Sequence, residues 1–311
     1  MDFEHTPLLP KNSHLKYGII EPERRLRPKL RFAGGFVSES NTPLYGGNQS
    51  RITVTDLAKA KKDKQPWPML TCYDALTASL FDELGIPVLL VGDSAAMVML
   101  GYDTTVPITV DELLVLVKAV ARGAKRALVV ADLPFGSYQS SVSDAVANAS
   151  IMMKAGASAV KLEGGARVLP QVKALVQSGI PVMGHLGLTP QSINALGGYK
   201  VQGKGDSAHQ LIEDAIALES AGAFAIVLEV VPAELAKEIT QQAKIPIIGI
   251  GAGVDVDAQV LVWQDLAGLT KDPAPRFLKR YASLRTSLAD AVKTFADDVI
   301  TKKYPEKKHS Y

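Results

Sequence analysis

From Arg51 onward, short apolar runs alternate with longer segments whose apolar residues recur at helical spacing. Short, β-rich apolar runs are typical of strands in a parallel sheet, because such strands are buried on both faces. Predicted strands cover residues 69–74, 88–93, 127–134, 159–165, 181–187, 225–232 and 246–253, with an eighth candidate of mixed character at 260–268. Predicted helices cover residues 75–85, 110–124, 141–157, 168–179, 207–223, 233–243 and 275–300. Strict alternation of this kind predicts a parallel sheet covered by helices.

The number of strand–helix units favours a closed barrel. Seven or eight units over roughly 230 residues suit an α/β fold of the (β/α)₈ TIM barrel type. A doubly wound open sheet is the competitor, but it usually has a glycine-rich nucleotide turn after its first strand. Here TCYDALT follows that strand and contains no glycine. The spacing of Gly249, Gly251 and Gly253 is G-x-G-x-G, which fits either tight backbone packing or a close approach of substrate.

The first 50 residues differ from the rest of the chain. They mix proline, glycine, asparagine, serine and charge without a sustained period, so we predict a disordered or loosely docked extension over residues 1–50. The pattern of residues from Thr53 to Asp56 then predicts the N-terminal cap of a helix. Residues 51–311 form the predicted barrel catalytic domain with C-terminal helices.

Composition narrows the class of partner. The net charge of +2 gives no reason to expect nucleic acid or an anionic membrane surface. The single cysteine, Cys72, excludes an internal disulfide framework and fits a reducing compartment. No run approaches the roughly 18 apolar residues that span a bilayer, and the first residues lack the order of a secretory signal. We therefore expect a soluble, cytoplasmic protein without a membrane partner.

The apolar runs end in residues capable of chemistry. A charge inside a buried strand is costly, so a charged residue at the strand end is expected to face a site. These residues are Asp93, Asp132, Lys161, Glu163, His185 and Glu229. Charged groups gathered at the carboxyl ends of parallel strands are typical of a barrel enzyme, and several carboxylates among them favour one with a metal.

Two of these carboxylates predict a magnesium site. Asp93 and Asp132 end consecutive strands, and such hard oxygen ligands suit Mg²⁺. Glu163, at the end of the next strand, would add a ligand directly or through water. The absence of H-x-x-x-H and C-x-x-C patterns argues against zinc.

Glu229 is expected to lie across the barrel from the two aspartates. Because apolar residues flank it in the sequence, it is a candidate general base. Lys161 is either a counter-charge for the carboxylates or a Schiff-base amine, and the role of His185 is open. Together these residues predict a Mg²⁺ enzyme that stabilises the enolate of a small oxyacid. The glycine-rich segment 188–206 is either a mobile cover for the barrel mouth or a merely flexible loop.

Five parts of the chain together resemble the ketopantoate hydroxymethyltransferase family. They are LLVGDS (89–94), DLPF (132–135), VKLEGG (160–165), GHLGLTPQS (184–192) with GGYKVQGKGD (197–206), and LEVVPAELA (228–236) followed by IPIIGIGAG (245–253). The resemblance runs from about residue 51 to the end. It implies a phosphoenolpyruvate/pyruvate-type barrel that transfers a hydroxymethyl group from 5,10-methylenetetrahydrofolate to 3-methyl-2-oxobutanoate, through a magnesium-stabilised enolate. The products would be 2-dehydropantoate, for pantothenate and coenzyme A synthesis, and tetrahydrofolate. The resemblance also implies a homo-oligomer, typically a decamer.

The resemblance also assigns roles to the candidate residues. Asp93 and Asp132 would bind Mg²⁺, with Glu163 close to the metal. Ser94 and Lys161 would hold the oxo acid together with the two aspartates, and His185 would line the pocket. Glu229 would be the proton-abstracting base. The chain departs from the family pattern in its extension, 1–50, and at Cys72, Ala258 and Lys308.

Two alternatives remain at this level. A lyase or mutase of the same barrel superfamily would share the metal-stabilised enolate, but those enzymes usually need a reactive cysteine or acid on a mobile loop, and 188–206 has no cysteine. The second alternative is a barrel without catalytic activity that serves as a scaffold. The intact set of charged residues argues against it, because a scaffold has no need of buried charge.

Overall fold

The computed structural model describes residues 44–45 and 50–311. Most of the predicted extension, residues 1–50, therefore lies outside the described residues, and its predicted disorder or loose docking stays a prediction. The barrel and everything that follows it are described.

Eight parallel strands close into a barrel in chain order, with β8 paired to β1. The strands are β1 Trp67–Thr71, β2 Val88–Val91, β3 Leu128–Asp132, β4 Ala159–Glu163, β5 Val182–Gly187, β6 Ala225–Glu229, β7 Ile247–Ile250 and β8 Ala258–Leu261. The predicted (β/α)₈ fold is confirmed. The eighth candidate, 260–268, is divided between the end of β8 and a short helix, which explains its mixed pattern.

The helices are α1 Val54–Lys62, α2 Ala75–Glu83, α3 Ala95–Val98, α4 Val110–Gly123, α5 Val142–Lys154, α6 Leu169–Gln177, α7 Ile193–Leu196, α8 Ser207–Ser220, α9 Ala233–Gln242, α10 Trp263–Leu266 and α11 Leu284–Ile300. Helices α2 to α9 lie between successive strands, whereas α1 precedes β1 and α10 and α11 follow β8. Three-residue 3₁₀ turns lie at Ala166–Val168, Pro190–Ser192 and Lys307–His309. No helix in the described ranges is long and apolar enough to cross a membrane.

The predicted helix over 275–300 was wrong in its first part, since residues 275–283 are not helical. Pro273 and Pro275 account for the first part of the difference, because they lack backbone N–H groups and restrict the residues before them. Ser283 occupies the N-cap position of α11, although its side chain makes no cap hydrogen bond.

Alternate residues of each strand serve two different cores. One set, such as Val130 on β3 and Val227 on β6, packs inside the barrel. The other set, such as Val129 and Ile226, packs outward against the helices. This period of two follows from the pleat of a strand. It decides which residues at the strand ends can reach the barrel interior.

Helix α1 packs against the inner core at one end of the barrel. Leu57 and Ala60 of α1 are buried in the same cluster as the interior strand residues. Lys61 donates to the carboxylate of Asp257, 2.7 Å away, directly before β8 begins. The predicted cap is confirmed as a capping box formed by Thr53 and Asp56. Because α1 lies at the amino ends of the strands, the carboxyl ends remain available for a site.

We expect that Leu44→Ala lowers the free energy of unfolding by about 2–4 kcal/mol, the usual cost of truncating a buried leucine. Leu44 is only 1% exposed and belongs to the inner cluster. Urea denaturation measures the change. Val254→Ala is the control, because Val254 is 84% exposed and should change stability by less than about 0.5 kcal/mol. Equal stability of the two variants would contradict the packing of Leu44.

Candidate active site

All seven candidate residues line one cavity at the carboxyl ends of the strands. The cavity has a volume of about 830 Å³, and its lining includes Asp93, Ser94, Asp132, Lys161, Glu163, His185 and Glu229. A cavity of this size is typical of small-molecule and cofactor sites.

The strand pleat explains why these side chains converge. Asp132, Glu163 and Glu229 are the last residues of β3, β4 and β6. Each is separated by an even number of positions from an interior apolar residue of its own strand, so each points into the barrel. Short apolar strands with a charged last residue therefore build a charged layer on top of the apolar core.

Asp132 and Lys161 form a buried ion pair. They are direct partners in the β3–β4 register, and Lys161 Nζ lies 2.5 Å from Asp132 Oδ1. Burial lowers the pKa of Lys161, but the charges of Asp132, Glu163 and Asp93 outweigh burial and hold the pKa above its usual value. Lys161 is therefore protonated, and a protonated amine is not a nucleophile. Of the two earlier interpretations, the counter-charge is favoured over the Schiff base.

Asp93 is linked directly to Asp132. The backbone N–H of Asp93 donates to Asp132 Oδ2 over 2.9 Å. Burial raises the pKa of Asp93 well above its usual value, and repulsion from Asp132 and Glu163 adds to this effect. Burial also raises the pKa of Asp132, although its ion pair with Lys161 opposes that. Crowding of buried carboxylates therefore disfavours the ionised form of Asp93.

His185 lies between two carboxylates. Its Nδ1 is 3.2 Å from Glu163 Oε1 and its Nε2 is 3.3 Å from Glu229 Oε2. Burial and the charge of Lys161 lower the pKa of His185, but the two glutamates outweigh them and raise it to about 9. Burial raises the pKa of Glu163, yet the close contact with His185 and its charge outweigh burial and lower that pKa. A cationic imidazole therefore joins the β4 and β6 sides of the site.

The backbone around Glu229 is tightly constrained. The carbonyl oxygen of Glu229 accepts from Leu188 N over 2.8 Å. A Cβ on Gly187 would lie 2.3 Å from that same oxygen, so only glycine fits there. Val230, the next residue, has φ of 49°, an unusual value for a β-branched residue. Strained backbone of this type is concentrated at functional sites. The Glu229 side chain stays 18% exposed and faces the cavity.

Sequence reasoning missed three buried polar residues. Tyr73 forms a 2.8 Å hydrogen bond with the hydroxyl of Ser94. Tyr138 donates to the side chain of Gln191, whose amide in turn donates to Asp93. Their neutral side chains carry no charge that would mark them in the sequence, although Gln191 belongs to the GHLGLTPQS motif. Burial of Gln191 also shows that segment 188–206 begins as an ordered turn and not as a flexible loop.

The aspartate pair has the chemistry of a magnesium site. Across residues 44–45 and 50–311, no three His, Cys, Asp or Glu side chains converge closely enough to enclose a metal. Mg²⁺ does not require three, since it is usually held by one or two carboxylates while other positions keep water or substrate. The buried oxygens Asp132 Oδ1 and Glu163 Oε1 carry ion pairs but no hydrogen bond of normal geometry. A divalent cation would relieve the repulsion that raises the pKa of Asp93. The residues present fit the ion.

Comparison with known proteins identifies the family. Residues 51–307 match the family model described as ketopantoate hydroxymethyltransferase. The chain belongs to the ketopantoate hydroxymethyltransferase family. It is 61% identical over 278 residues to 3-methyl-2-oxobutanoate hydroxymethyltransferase of Frankia alni, covering 89% of this chain and 90% of the relative. It is 59% identical to the enzyme of that name from Thermobifida fusca, covering 88% and 99%. The protein is therefore an enzyme, a transferase of hydroxymethyl groups.

Solved structures confirm the type of barrel. A phosphonopyruvate hydrolase in complex with oxalate and Mg²⁺ matches with a TM-score of 0.55 at 14% identity, covering 83% of this chain and 93% of that one. A 2,3-dimethylmalate lyase, a member of the PEP mutase/isocitrate lyase superfamily, matches with a TM-score of 0.52 at 15% identity, covering 83% and 91%. At this identity the likeness concerns the fold. It agrees with the closed eight-stranded barrel of this chain, and membership of the transferase family disfavours the lyase alternative.

Proposed function

We propose that this enzyme transfers a hydroxymethyl group from 5,10-methylenetetrahydrofolate to 3-methyl-2-oxobutanoate. The products are 2-dehydropantoate and tetrahydrofolate, and the reaction serves pantothenate and coenzyme A synthesis. The observation that carries the proposal is the pairing within one cavity of a partly exposed carboxylate, Glu229, with a buried lysine–aspartate cluster on the β2–β4 side. One side offers a base and the other a place for an oxo acid.

The cluster on the β2–β4 side supports binding of an anionic oxo acid. Protonated Lys161 attracts its negative charge, and the hydroxyl of Ser94, oriented by Tyr73, supplies a hydrogen bond. Asp93 and Asp132 would hold Mg²⁺ in this cluster, with Glu163 nearby. When bound there, the ion supplies Lewis-acid polarisation of the oxo acid and stabilisation of negative charge on its enolate.

Glu229 is the proposed general base. It takes the proton from C3 of the oxo acid, and the electrons of the broken C–H bond form the enolate. The cationic imidazole of His185, whose Nε2 lies 3.3 Å from Glu229 Oε2, positions that carboxylate for the transfer. The enolate carbon then attacks the methylene carbon of the folate, present as an iminium ion, and the π electrons of the C=N bond move to N5. Water then replaces N5 at that carbon: its oxygen becomes the new hydroxyl group, the C–N bond breaks, and N5 takes the bond electrons and a proton from the water to give tetrahydrofolate.

Proton NMR in D₂O tests the proposal in two stages. Enzyme, Mg²⁺ and 3-methyl-2-oxobutanoate are mixed first, and the C3 proton signal is expected to disappear by exchange. Addition of 5,10-methylenetetrahydrofolate should then produce 2-dehydropantoate. Absence of both exchange and product, with folded and metal-loaded protein, would overturn the proposal and return the lyase and scaffold alternatives to consideration.

The same proposal includes assembly into a homo-oligomer, typically a decamer, in the cytoplasm, without nucleic acid or membrane partners. Helix α11 supports the assembly. None of its residues is buried, yet Leu288, Val292, Phe295 and Val299 follow one another on a single face. An exposed apolar face on a regular helix is typical of a contact with another chain. A second copy of this chain is the occupant that a homo-oligomer requires.

We expect Val292→Asp to shift the protein to smaller species, because a charge in an apolar contact must be desolvated. Size-exclusion chromatography with light scattering measures the mass. Thr294→Asp is the matched control, since it adds the same charge to another face of α11 and should leave the mass unchanged. An unchanged mass for Val292→Asp would mean that the α11 face is not the contact.

A further inference from the structure

Gln191 makes more contacts with the site than its sequence position suggests. It lies in the 3₁₀ turn Pro190–Ser192, outside the eight strands, and its side chain is buried. Its Nε2 donates to Asp93 Oδ2 over 2.9 Å and to the carbonyl oxygen of Leu133 over 3.0 Å. Its backbone N–H donates to Glu163 Oε2, also over 3.0 Å. One residue thus contacts the carboxylate that follows β2, the carboxylate that ends β4 and the backbone that follows β3.

The orientation of the Gln191 amide is determined by its partners. The carbonyl oxygen of Leu133 can only accept a hydrogen bond, so the amide nitrogen must face Leu133 and Asp93. The amide oxygen then faces two donors, the hydroxyl of Tyr138 at 2.8 Å and the amide of Gln139 at 3.2 Å. All four hydrogen-bonding capacities of the Gln191 amide are used.

Two further contacts hold Gln191 itself in place. Tyr138 is buried, and its hydroxyl accepts from the backbone N–H of Glu163 over 3.0 Å. Arg167 donates to the hydroxyl of Ser192, the residue after Gln191, over 2.9 Å. The turn is therefore tied both to the end of β4 and to the segment that follows it. A rigidly held amide restricts the carboxylate that it contacts.

The contact to Asp93 leaves one of its oxygens for other partners. Asp93 Oδ2 accepts the hydrogen bond from Gln191. Asp93 Oδ1 accepts none from any side chain or backbone group in the described ranges. Asp93 lines the cavity, and Asp132 is attached to its backbone. Fixing one carboxylate oxygen selects the direction in which the other can bind a cation, as hydrogen bonds to metal-ligating carboxylates commonly do.

We propose that Gln191 is a positioning residue, which orients Asp93 for the divalent cation while its backbone holds Glu163 toward His185. The inference rests on the proposed metal site of Asp93 and Asp132. It gives the first part of segment 188–206 a definite role, because this turn completes the site from outside the strands.

Mn²⁺ binding tests the role of the Gln191 side chain. Gln191→Met keeps the side-chain length and removes every hydrogen bond of the amide. We expect its dissociation constant for Mn²⁺, measured by electron paramagnetic resonance of the free ion, to rise about 10–100-fold, the usual effect of losing a residue that orients a ligand. Gln202→Met is the matched control in the same segment, because within the described part of the chain the Gln202 side chain bonds only the carbonyl oxygen of Lys200. It should bind Mn²⁺ like the unaltered enzyme.

Circular dichroism and thermal unfolding of the same samples separate positioning from a purely structural role. A purely structural residue would lower Tm and leave the Mn²⁺ dissociation constant of the folded protein unchanged, which would overturn the inference. A weaker affinity in fully folded Gln191→Met supports it. Failure of the unaltered enzyme to bind Mn²⁺ would instead overturn the proposed metal site itself, so the two failures are distinguishable.

Discussion

Glu229→Gln is expected to lower both C3-proton exchange and turnover by roughly 10²–10⁴-fold, the range that general-base catalysis contributes. The substitution keeps the shape of the side chain and removes the carboxylate that would accept the proton. Binding of 3-methyl-2-oxobutanoate should change little, because its proposed anchors are Lys161 on β4 and Ser94 at the start of α3. Proton NMR without folate isolates the exchange step, and calorimetry measures binding of the oxo acid.

The chain offers a matched control for this substitution. Glu213 on α8 lies 3.3 Å from His209, so it is also a glutamate paired with a histidine, but it lies on the exposed side of a helix. Glu213→Gln should leave exchange and turnover unchanged. If Glu229→Gln exchanges the C3 proton at the rate of the unaltered enzyme, another group is the base.

Asp132→Ala is expected to abolish turnover and to lower the free energy of unfolding by about 3 kcal/mol. Loss of turnover follows from loss of a proposed metal ligand. Loss of stability follows because Lys161, only 3% exposed, would remain charged and without its closest partner. Mn²⁺ titration and urea denaturation measure the two effects separately. Normal turnover at ordinary Mg²⁺ would contradict the role of Asp132.

A second variant separates the two effects of Asp132→Ala. Adding Lys161→Met removes the unpaired charge, so stability should largely recover while metal affinity and turnover stay low. Asp255→Ala is the control for an exposed pair, since Asp255 and Lys237 are 3.5 Å apart at the surface. That change should cost less than about 1 kcal/mol. A double variant as unstable as Asp132→Ala would show that Lys161 is not the source of the loss.

Most of the barrel could be predicted because its pattern is local. A strand buried on both faces must be apolar along its length, so a charge such as Asp132 or Glu163 can stand only at its end. Seven of the eight predicted strands, counting the candidate at 260–268, ran past the observed carboxyl ends, and at several of these ends the next residues, such as Gly92, are also buried. The ends of strands are assigned from hydrogen bonds between neighbouring strands, and these bonds cannot be inferred from residue type.

Other parts of the site could not be predicted because their partners are distant in the chain. Gln191 and Asp93 are separated by 98 residues in the sequence. A glutamine is neutral, so its residue type does not indicate that it belongs to a site of carboxylates. The choice between counter-charge and Schiff base for Lys161 depended on register, since only the closed sheet makes Lys161 and Asp132 direct partners.

For this protein, the sequence by itself determined the alternation of strands and helices, the barrel, and the charged residues at its strand ends. It could do so because burial constrains each strand locally, residue by residue. Only the tertiary structure decided which charges pair, how His185 joins Glu163 and Glu229, and that a turn outside the sheet supplies Gln191. Those features depend on distances between segments far apart in sequence, which are determined when the barrel closes.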